Sequence, residues 1–243
     1  MTTPSPTFST VLLDYGHGGF DPVTGEYLTV RDGEPSKCYT FTSEDPPLFI
    51  GEGHTNRETA WRLARLLLSY GVRVYDVVKG DYLLDCPTLA DLEPRNISLV
   101  ERVENANRFD AKRSVYVSMH SNAIGEDHSG PGHSVRGTSI WTSRGQTLSD
   151  AVADTMAAGF REAFEGTSMR LMRGQTESDG DIDYEAGFYV LRKTYMPAVL
   201  GEVGFFTNIT DARYLLSESG QGVIARGYFL GLRPWLKPGE YTS

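Results

Sequence analysis

Apolar segments of two different periods alternate along this chain, and their order constrains the fold more than any other feature. Residues 10–14 form a short apolar run that predicts a buried strand. Residues 56–70 carry apolar side chains at helical spacing, and residues 72–78 form a second strand-like run. A strand, a helix and a strand in this order favour a right-handed crossover between two parallel strands. The chain therefore contains a βαβ unit.

The same alternation continues beyond this unit. The further predicted helices cover residues 97–109, 147–164, a segment opened by Thr210 and Asp211, and 222–232; the further predicted strands cover 115–119, 138–142, 188–191 and 198–201. In the 97–109 helix the predicted apolar stripe is Leu99, Val100, Val103 and Ala106. Strands alternating with helices indicate an α/β fold. We expect a twisted, mostly parallel or mixed sheet of about six strands with helices on both faces.

Length and composition limit the class of protein. A chain of 243 residues, 40% of them hydrophobic, fits one domain over 1–243, with long loops near 20–50, 124–136 and 172–186. The net charge of -9, with no cluster of Lys and Arg, argues against binding to nucleic acid or to anionic membranes. The two cysteines, Cys38 and Cys86, are expected to be free thiols. We expect no membrane insertion and no cleaved signal peptide.

Three predicted strands each end at a residue with catalytic chemistry. His17 follows the first strand and is flanked by glycines, His120 follows the 115–119 strand, and Glu202 follows the 198–201 strand. In α/β sheets reactive groups gather beyond the carboxyl ends of the strands. The sequence therefore predicts that these three side chains meet at one edge of the sheet.

Two imidazoles and one carboxylate form a favoured zinc-binding set, and a catalytic zinc keeps a fourth position open for water. His17 and His120 supply the nitrogens. The carboxylate is expected from Glu52, Glu58 or Asp21, and Glu52 is preferred because it lies in a glycine-flanked turn before the helix. Glu58 has another explanation, since an acidic residue in the first turn of a helix interacts favourably with the macrodipole.

Four further side chains receive expected roles from the residues around them in the sequence. Glu202 stands in an apolar context, and partial burial would raise its pKa, as a general base near neutral pH requires. Asp14 lies beside the His17 loop and is expected to hydrogen-bond loop amides or to tune the ligand. Asn122 either orients substrate or bonds to the backbone, and His54 is the alternative ligand if Glu52 points away.

Aromatic residues form a further candidate set, for lining a glycan or peptide groove, although core packing is the safer explanation for two of them, Phe188 and Trp141. The set comprises Trp141, Tyr184, Phe188 and Tyr189. Signatures of other enzyme classes are missing from the sequence. It contains no P-loop, no G-x-S-x-G and no H-E-x-x-H motif.

Five segments together resemble the motifs of the zinc-dependent N-acetylmuramoyl-L-alanine amidases of the Amidase_3 family, in the order of that family. They are DYGHGG at 14–19, Glu52 with Asn56, LVERVENAN at 99–107, SMHSNA at 118–123 and EVGFFTN at 202–208. The resemblance covers nearly the whole chain. The chain departs from the family pattern at Tyr15, at Lys79-Gly80 and at Gly201, and at its longer loops near 20–50 and 124–136.

The resemblance implies specific roles. His17, Glu52 and His120 would bind Zn²⁺, Glu202 would be the catalytic acid-base, and Arg102 would join Asp14 and Asn122 in supporting the site or substrate. The implied reaction is hydrolysis of the amide bond between N-acetylmuramic acid and L-alanine in peptidoglycan.

Two other functions stay open: another zinc-dependent amide hydrolase, such as a peptidase or deacetylase, and an inactive wall-binding protein. The expected location is the cytoplasm until release to the wall, as for a phage-type endolysin or a mother-cell lysis enzyme. The oligomeric state does not follow from the sequence.

Overall fold

The computed structural model describes residues 7–125, 127–172 and 182–239. Within these ranges the strands, in chain order, are β1 (Thr10–Tyr15), β2 (Val30–Arg31), β3 (Glu34–Pro35), β4 (Cys38–Phe41), β5 (Leu48–Gly51), β6 (Arg73–Asp76), β7 (Asp81–Tyr82), β8 (Ser114–Asn122), β9 (Ser129–Gly130), β10 (Thr138–Thr142), β11 (Tyr184–Glu185) and β12 (Ala198–Phe205). The helices are α1 (Glu52–Ser69), α2 (Leu99–Ala106), α3 (Leu148–Ala163), α4 (Tyr189–Lys193), α5 (Ile209–Leu216) and α6 (Glu218–Leu232), with short 3-10 turns at Leu89–Asp91 and Arg233–Trp235.

A seven-stranded mixed sheet forms the centre of the fold, in the order β11-β10-β12-β8-β1-β6-β7. The four inner strands β12, β8, β1 and β6 are parallel, as the βαβ pattern predicts. β10 runs antiparallel to β12, and β7 runs antiparallel to β6. The expected α/β sheet with helices is therefore confirmed. Its two outermost strands, β11 and β7, are two-residue segments that the sequence did not predict as strands.

Helices cover both faces of the sheet, and alternate residues of β1 show this directly. Val11 and Leu13 join the core cluster that contains Leu63 of α1 and Phe160 of α3. Leu12, between them, joins a second cluster with Val103 of α2. Because successive side chains of a strand point to opposite faces, α1, α3 and α6 cover one face and α2 and α4 cover the other.

The two loops predicted near 20–50 and 124–136 are linked to each other. β4 pairs antiparallel with β5 and parallel with β9, so a small three-stranded sheet joins the two loops. Tyr39 and Phe41 of β4 are fully buried in the core cluster of α1. The 20–50 loop, called the insertion below, is therefore packed onto the main domain beside the start of α1. Of the third predicted loop, 172–186, residues 173–181 lie outside the described part of the chain.

Several predicted elements differ from the structure. Phe188–Leu191 was expected to be a strand, but helix α4 begins at Tyr189, because β12 is already flanked by β8 and β10 and offers no free edge. A short apolar run does not by itself distinguish a strand from a buried helical turn. In α2, Leu99 and Val100 are 54% and 51% exposed, so the predicted stripe was wrong there. No helix in the described ranges is apolar over a length that would cross a bilayer.

Candidate active site

The carboxyl ends of the parallel strands bring the three strand-end residues together. His17 follows β1, His120 lies near the end of β8, and Glu202 lies in β12. β8 is the strand between β1 and β12, and Glu202 is the in-register neighbour of His120. The parallel order of the strands therefore positions these side chains at one edge of the sheet.

His17, Glu52 and His120 form a compact cluster in which one ligand atom from each residue lies within 4.8 Å of the others. The Glu52 carboxylate lies between the imidazoles: Oε2 is 3.3 Å from His17 Nε2, and Oε1 is 2.9 Å from His120 Nδ1. The backbone N–H of Ser121 also donates to Glu52 Oε1 at 3.3 Å. Glu52 is 2% exposed, so the carboxylate belongs to the protein interior rather than to the surface.

The His17 loop is shaped by contact rather than by flexible glycines. The left-handed residue is His17 itself, with φ of 69°, whereas the φ values of its flanking glycines lie outside the left-handed region. Glycine is required at 16 for a different reason, because a Cβ there would lie 1.9 Å from His120 Cε1. The two imidazole rings lie edge to face with centroids 5.1 Å apart. The absence of a side chain at Gly16 therefore lets the two rings approach each other.

Glu52 lies inside the helix, not in the turn before it as expected. It is the first residue of α1, after the N-cap Gly51, and it is the acidic residue of the first turn. Its position benefits from the helix macrodipole, the role that sequence reasoning gave to Glu58. At Gly53 a Cβ would lie 2.3 Å from the carbonyl oxygen of Gly18, so the helix packs directly on the His17 loop.

The alternative ligands lie elsewhere. Glu58 Oε2 accepts a hydrogen bond from Gln221 and lies 3.8 Å from His54 Nε2. Asp21 Oδ1 accepts the backbone N–H groups of Val23 and Thr24. Among the described residues, His17, Glu52 and His120 are the group that satisfies the geometry of a metal site.

The donor set of the cluster fits a divalent metal, and the environment shifts the pKa values of the two imidazoles in opposite directions. Burial lowers the pKa of His17 to about 4, with Glu52 opposing and His120 adding to the decrease, so His17 presents a neutral imidazole near neutral pH. At His120 burial also lowers the pKa, but the hydrogen bond and charge of Glu52 outweigh it and leave the pKa raised. Two imidazoles around one shared, buried carboxylate are the donor set that zinc accepts.

Glu202 faces the cluster without being part of it. Its Oε2 is buried and has no hydrogen-bond partner among the described residues. Burial raises its pKa to about 7; the charge of His120 opposes this increase and the charge of Glu52 adds to it. A partly buried carboxylate with a free oxygen and a pKa near neutrality can accept a proton and return it.

Asp14 lies beneath the site in a buried network, and its bonding differs from the expected contacts to loop amides. It pairs with Arg102, and its Oδ2 accepts hydrogen bonds from the hydroxyl groups of Tyr116 at 2.5 Å and Ser118 at 3.1 Å. Arg102 also donates to the Asn96 side chain at 3.1 Å. Burial raises the pKa of Asp14, but the charges of Arg102 and His120, with the hydrogen bonds from Tyr116 and Arg102, together hold this pKa below its usual value.

Two residues that sequence reasoning did not assign hold the His17 loop. The Asn56 amide donates to the Gly16 carbonyl at 3.3 Å, and the Thr29 hydroxyl both accepts from the Gly18 N–H at 2.7 Å and donates to its carbonyl at 3.0 Å. In the sequence Asn56 stands out only as part of the family-like segment that begins at Glu52, and Thr29 lies in a loop with no periodic pattern. The side-chain oxygen of Asn122 accepts from the N–H of Ala123 at 2.8 Å, one of its two expected roles.

A cavity of about 710 Å³ opens over the cluster. On one side it is lined by residues 96–98, which precede α2, and by Leu99, the first residue of α2. Phe188 and Tyr189, at the start of α4, line the same side. On the other it is lined by Lys37, from the insertion. Trp141 and Tyr184 lie behind this wall, with the Trp141 ring 5.5 Å from that of Phe188 and 4.9 Å from that of Tyr184.

The fold and this cluster define an α/β protein with a candidate metal centre at the carboxyl edge of its sheet. The family model described as N-acetylmuramoyl-L-alanine amidase matches residues 11–233, so the chain belongs to that family. The site residues described above all fall within the matched range.

Individual relatives agree with this assignment. The chain is 27% identical over 196 residues to the N-acetylmuramoyl-L-alanine amidase CwlM of Bacillus licheniformis, a match that covers 76% of this chain and 66% of that protein. The chain thus spans about two thirds of the length of this relative.

Solved structures share the fold. The catalytic domain of CwlV from Bacillus (Paenibacillus) polymyxa var. colistinus has a TM-score of 0.62 at 22% identity, covering 93% of this chain and 96% of that one. An N-acetylmuramoyl-L-alanine amidase from Clostridium difficile 630 has a TM-score of 0.60 at 23% identity, covering 93% and 95%.

Proposed function

We propose that this protein is a zinc-dependent hydrolase of the amide bond between N-acetylmuramic acid and L-alanine in peptidoglycan. Family membership supports the reaction class. The observation that carries the proposal is the convergence of His17, Glu52 and His120 within 4.8 Å, beside the partly buried Glu202 carboxylate. His17, Glu52 and His120 would hold the zinc ion, and the open cavity above them would admit the substrate.

When bound, zinc supplies a Lewis acid that polarises the scissile carbonyl and makes a water molecule more acidic. Glu202 is placed to take the proton from the attacking water, because it lines the same cavity as the cluster, on the strand next to His120, and its Oε2 has no hydrogen-bond partner among the described residues. The protonated Glu202 then delivers this proton to the departing amide nitrogen. Its raised pKa suits both steps, since the group must change protonation state near neutral pH.

Digestion of purified sacculi by zinc-loaded protein tests the reaction. Mass spectrometry should show stem peptides with new L-alanine amino termini and glycan strands of unchanged length. The matched control is Glu202→Gln, which keeps the shape of the side chain and should retain zinc while lowering kcat by about 10²–10⁴-fold. No soluble fragments from zinc-loaded protein would overturn the proposal.

The same digest separates the other reactions that a zinc site supports. A peptidase would produce amino termini inside the stem peptide, and a deacetylase would produce free amino sugars without releasing peptide. A role in cell lysis, with release from the cytoplasm by a membrane-permeabilising partner, stays a prediction. Lysis of cells that express this chain without such a partner would contradict it.

A further inference from the structure

Lys37 is held at the edge of the candidate active site by its backbone. It is one of the few non-glycine residues with a left-handed conformation, at φ of 55°. Its carbonyl accepts hydrogen bonds from the backbone N–H of Glu52 and from the hydroxyl of Tyr27, both at 2.9 Å. Strained backbone conformations cluster at functional sites, where surrounding contacts maintain them. The chain therefore fixes Lys37 directly against the residue that starts α1 and supplies the candidate metal ligand.

The ammonium of Lys37 is available to a ligand. The side chain is exposed, and no ion-pair partner within 4.0 Å is found for it in the described ranges. Two Lys or Arg residues line the cavity over the cluster, Lys37 and Arg102, and the charge of Arg102 is already neutralised by Asp14. Among the described residues that line this cavity, Lys37 is thus the Lys or Arg side chain without an ion-pair partner, in a chain of net charge -9.

The charge of Lys37 reaches the reacting groups. Burial raises the pKa of Glu202, and the charges of His120 and Lys37 oppose this increase. The lysine therefore stands close enough to act on the site electrostatically, but it donates no hydrogen bond to any of the site's carboxylates.

The cavity continues past Lys37 on the side of the insertion. A second cavity of about 410 Å³ is lined by Lys37, Ala123 and Phe206, which also line the first. The rest of its lining carries charges of both signs, from Arg31, Asp32, Glu34 and Asp127. The opposite wall is formed by Leu99, Phe188 and Tyr189, from the face of the sheet that α2 and α4 cover. One side of the cleft is thus apolar and aromatic, which suits a sugar ring. The other side is polar, and Lys37 is the basic residue that lines both cavities.

We propose that Lys37 is a specificity residue that binds a carboxylate of the stem peptide next to the scissile amide. This inference rests on the proposed function. The peptide leaves the reacting centre toward the insertion, and its second residue, an acidic amino acid in peptidoglycan, meets the lysine ammonium. The sugar lies against the aromatic wall. Lys37 acts on binding and orientation and takes no part in proton transfer.

Two synthetic substrates test this role: N-acetylmuramoyl-L-alanyl-D-glutamic acid and the same compound with both carboxylates converted to amides. Wild-type protein should prefer the acid, and Lys37→Gln should lower kcat/KM for the acid by about ten-fold, mainly through KM, with less than about two-fold change for the amide. Lys37→Arg should retain the preference for the acid. The matched control is Lys112→Gln, which removes an exposed lysine before β8, at the opposite end of that strand from His120.

Zinc content and melting temperature of each variant show whether the Glu52 region is intact. Equal losses of kcat/KM on both substrates with full zinc content would overturn the proposal, since they place Lys37 at the reacting centre or in a structural role. No loss on either substrate would also overturn it. Digestion of sacculi separates the Lys37 subsite from the proposed function. If wild-type protein cleaves sacculi but does not discriminate between the synthetic acid and amide, the Lys37 subsite alone is refuted. The absence of cleavage on every substrate refutes the proposed function and the subsite with it.

Discussion

Replacing Arg102 with methionine tests the buried network beneath the candidate metal centre. The substitution removes the counter-ion of Asp14 and leaves a side chain of similar length. The side chains of Arg102 and Asp14 are 3% and 1% exposed, so solvent cannot take over the charge. Breaking such a pair by removing one partner costs about 3–5 kcal/mol. The hydroxyl groups of Tyr116 and Ser118 still donate to Asp14, which puts the expected loss at the lower end, about 3 kcal/mol.

Equilibrium urea denaturation of the zinc-loaded protein measures this cost. The double variant Asp14→Asn with Arg102→Met removes both charges, and we expect it to be more stable than the sum of the single effects by about 2 kcal/mol. The matched control is Arg226→Met, because Arg226 pairs with Glu162 at 3.1 Å on the surface, where both side chains are more than half exposed. That control should cost less than about 1 kcal/mol.

A loss for Arg102→Met no larger than that of the surface control would refute the reasoning. Additive effects of the Asp14 and Arg102 substitutions would refute it as well, since the two side chains would then act independently.

Two other perturbations give distinct outcomes. Gly16→Ala places a Cβ 1.9 Å from His120 Cε1, so the ring must move, and zinc affinity measured by chelator competition should fall by about ten-fold or more; unchanged affinity would contradict this packing. Burial raises the pKa of Asp76 to about 6 from a usual value of 3.8, so the folded protein holds this proton more tightly than the unfolded chain. As pH rises from about 4 to 6 most of the resulting stabilisation is lost, and the wild-type free energy of unfolding should fall by about 2 kcal/mol relative to Asp76→Asn. Parallel pH profiles of the two proteins would show that this carboxyl does not titrate as stated.

The sheet and the strand-end residues could be predicted because they follow local rules. Buried parallel strands are short apolar runs, and His17, His120 and Glu202 each stand just beyond or near the end of one. Parallel strands then place these side chains at the same edge whatever the loops do. Glu52 lies in one cluster with His17 and His120, and its role as a metal ligand stays a prediction; its place at the first position of α1 was not predicted. Helix boundaries depend on caps, and Gly51 gives no side-chain cap that a sequence would show.

The rest of the site depends on contacts between segments far apart in the chain. Thr29 and Lys37 lie in an insertion whose position is set by pairing of β4 with β9, about ninety residues later in the chain. Arg102 and Asp14 meet across two elements, and neither residue alone signals the other. Leu99 and Val100 look like core residues in a helical pattern, but both side chains are exposed, and Leu99 lines the cavity over the cluster instead.

Zinc stoichiometry of purified protein tests the central claim most directly. After loading and dialysis, elemental analysis should find about one zinc ion per chain in the wild type and in Glu202→Gln, and only traces in His17→Ala, His120→Ala and Glu52→Gln. Full retention of zinc by His120→Ala, or no stoichiometric zinc in the wild type, would contradict a metal centre built from these three residues.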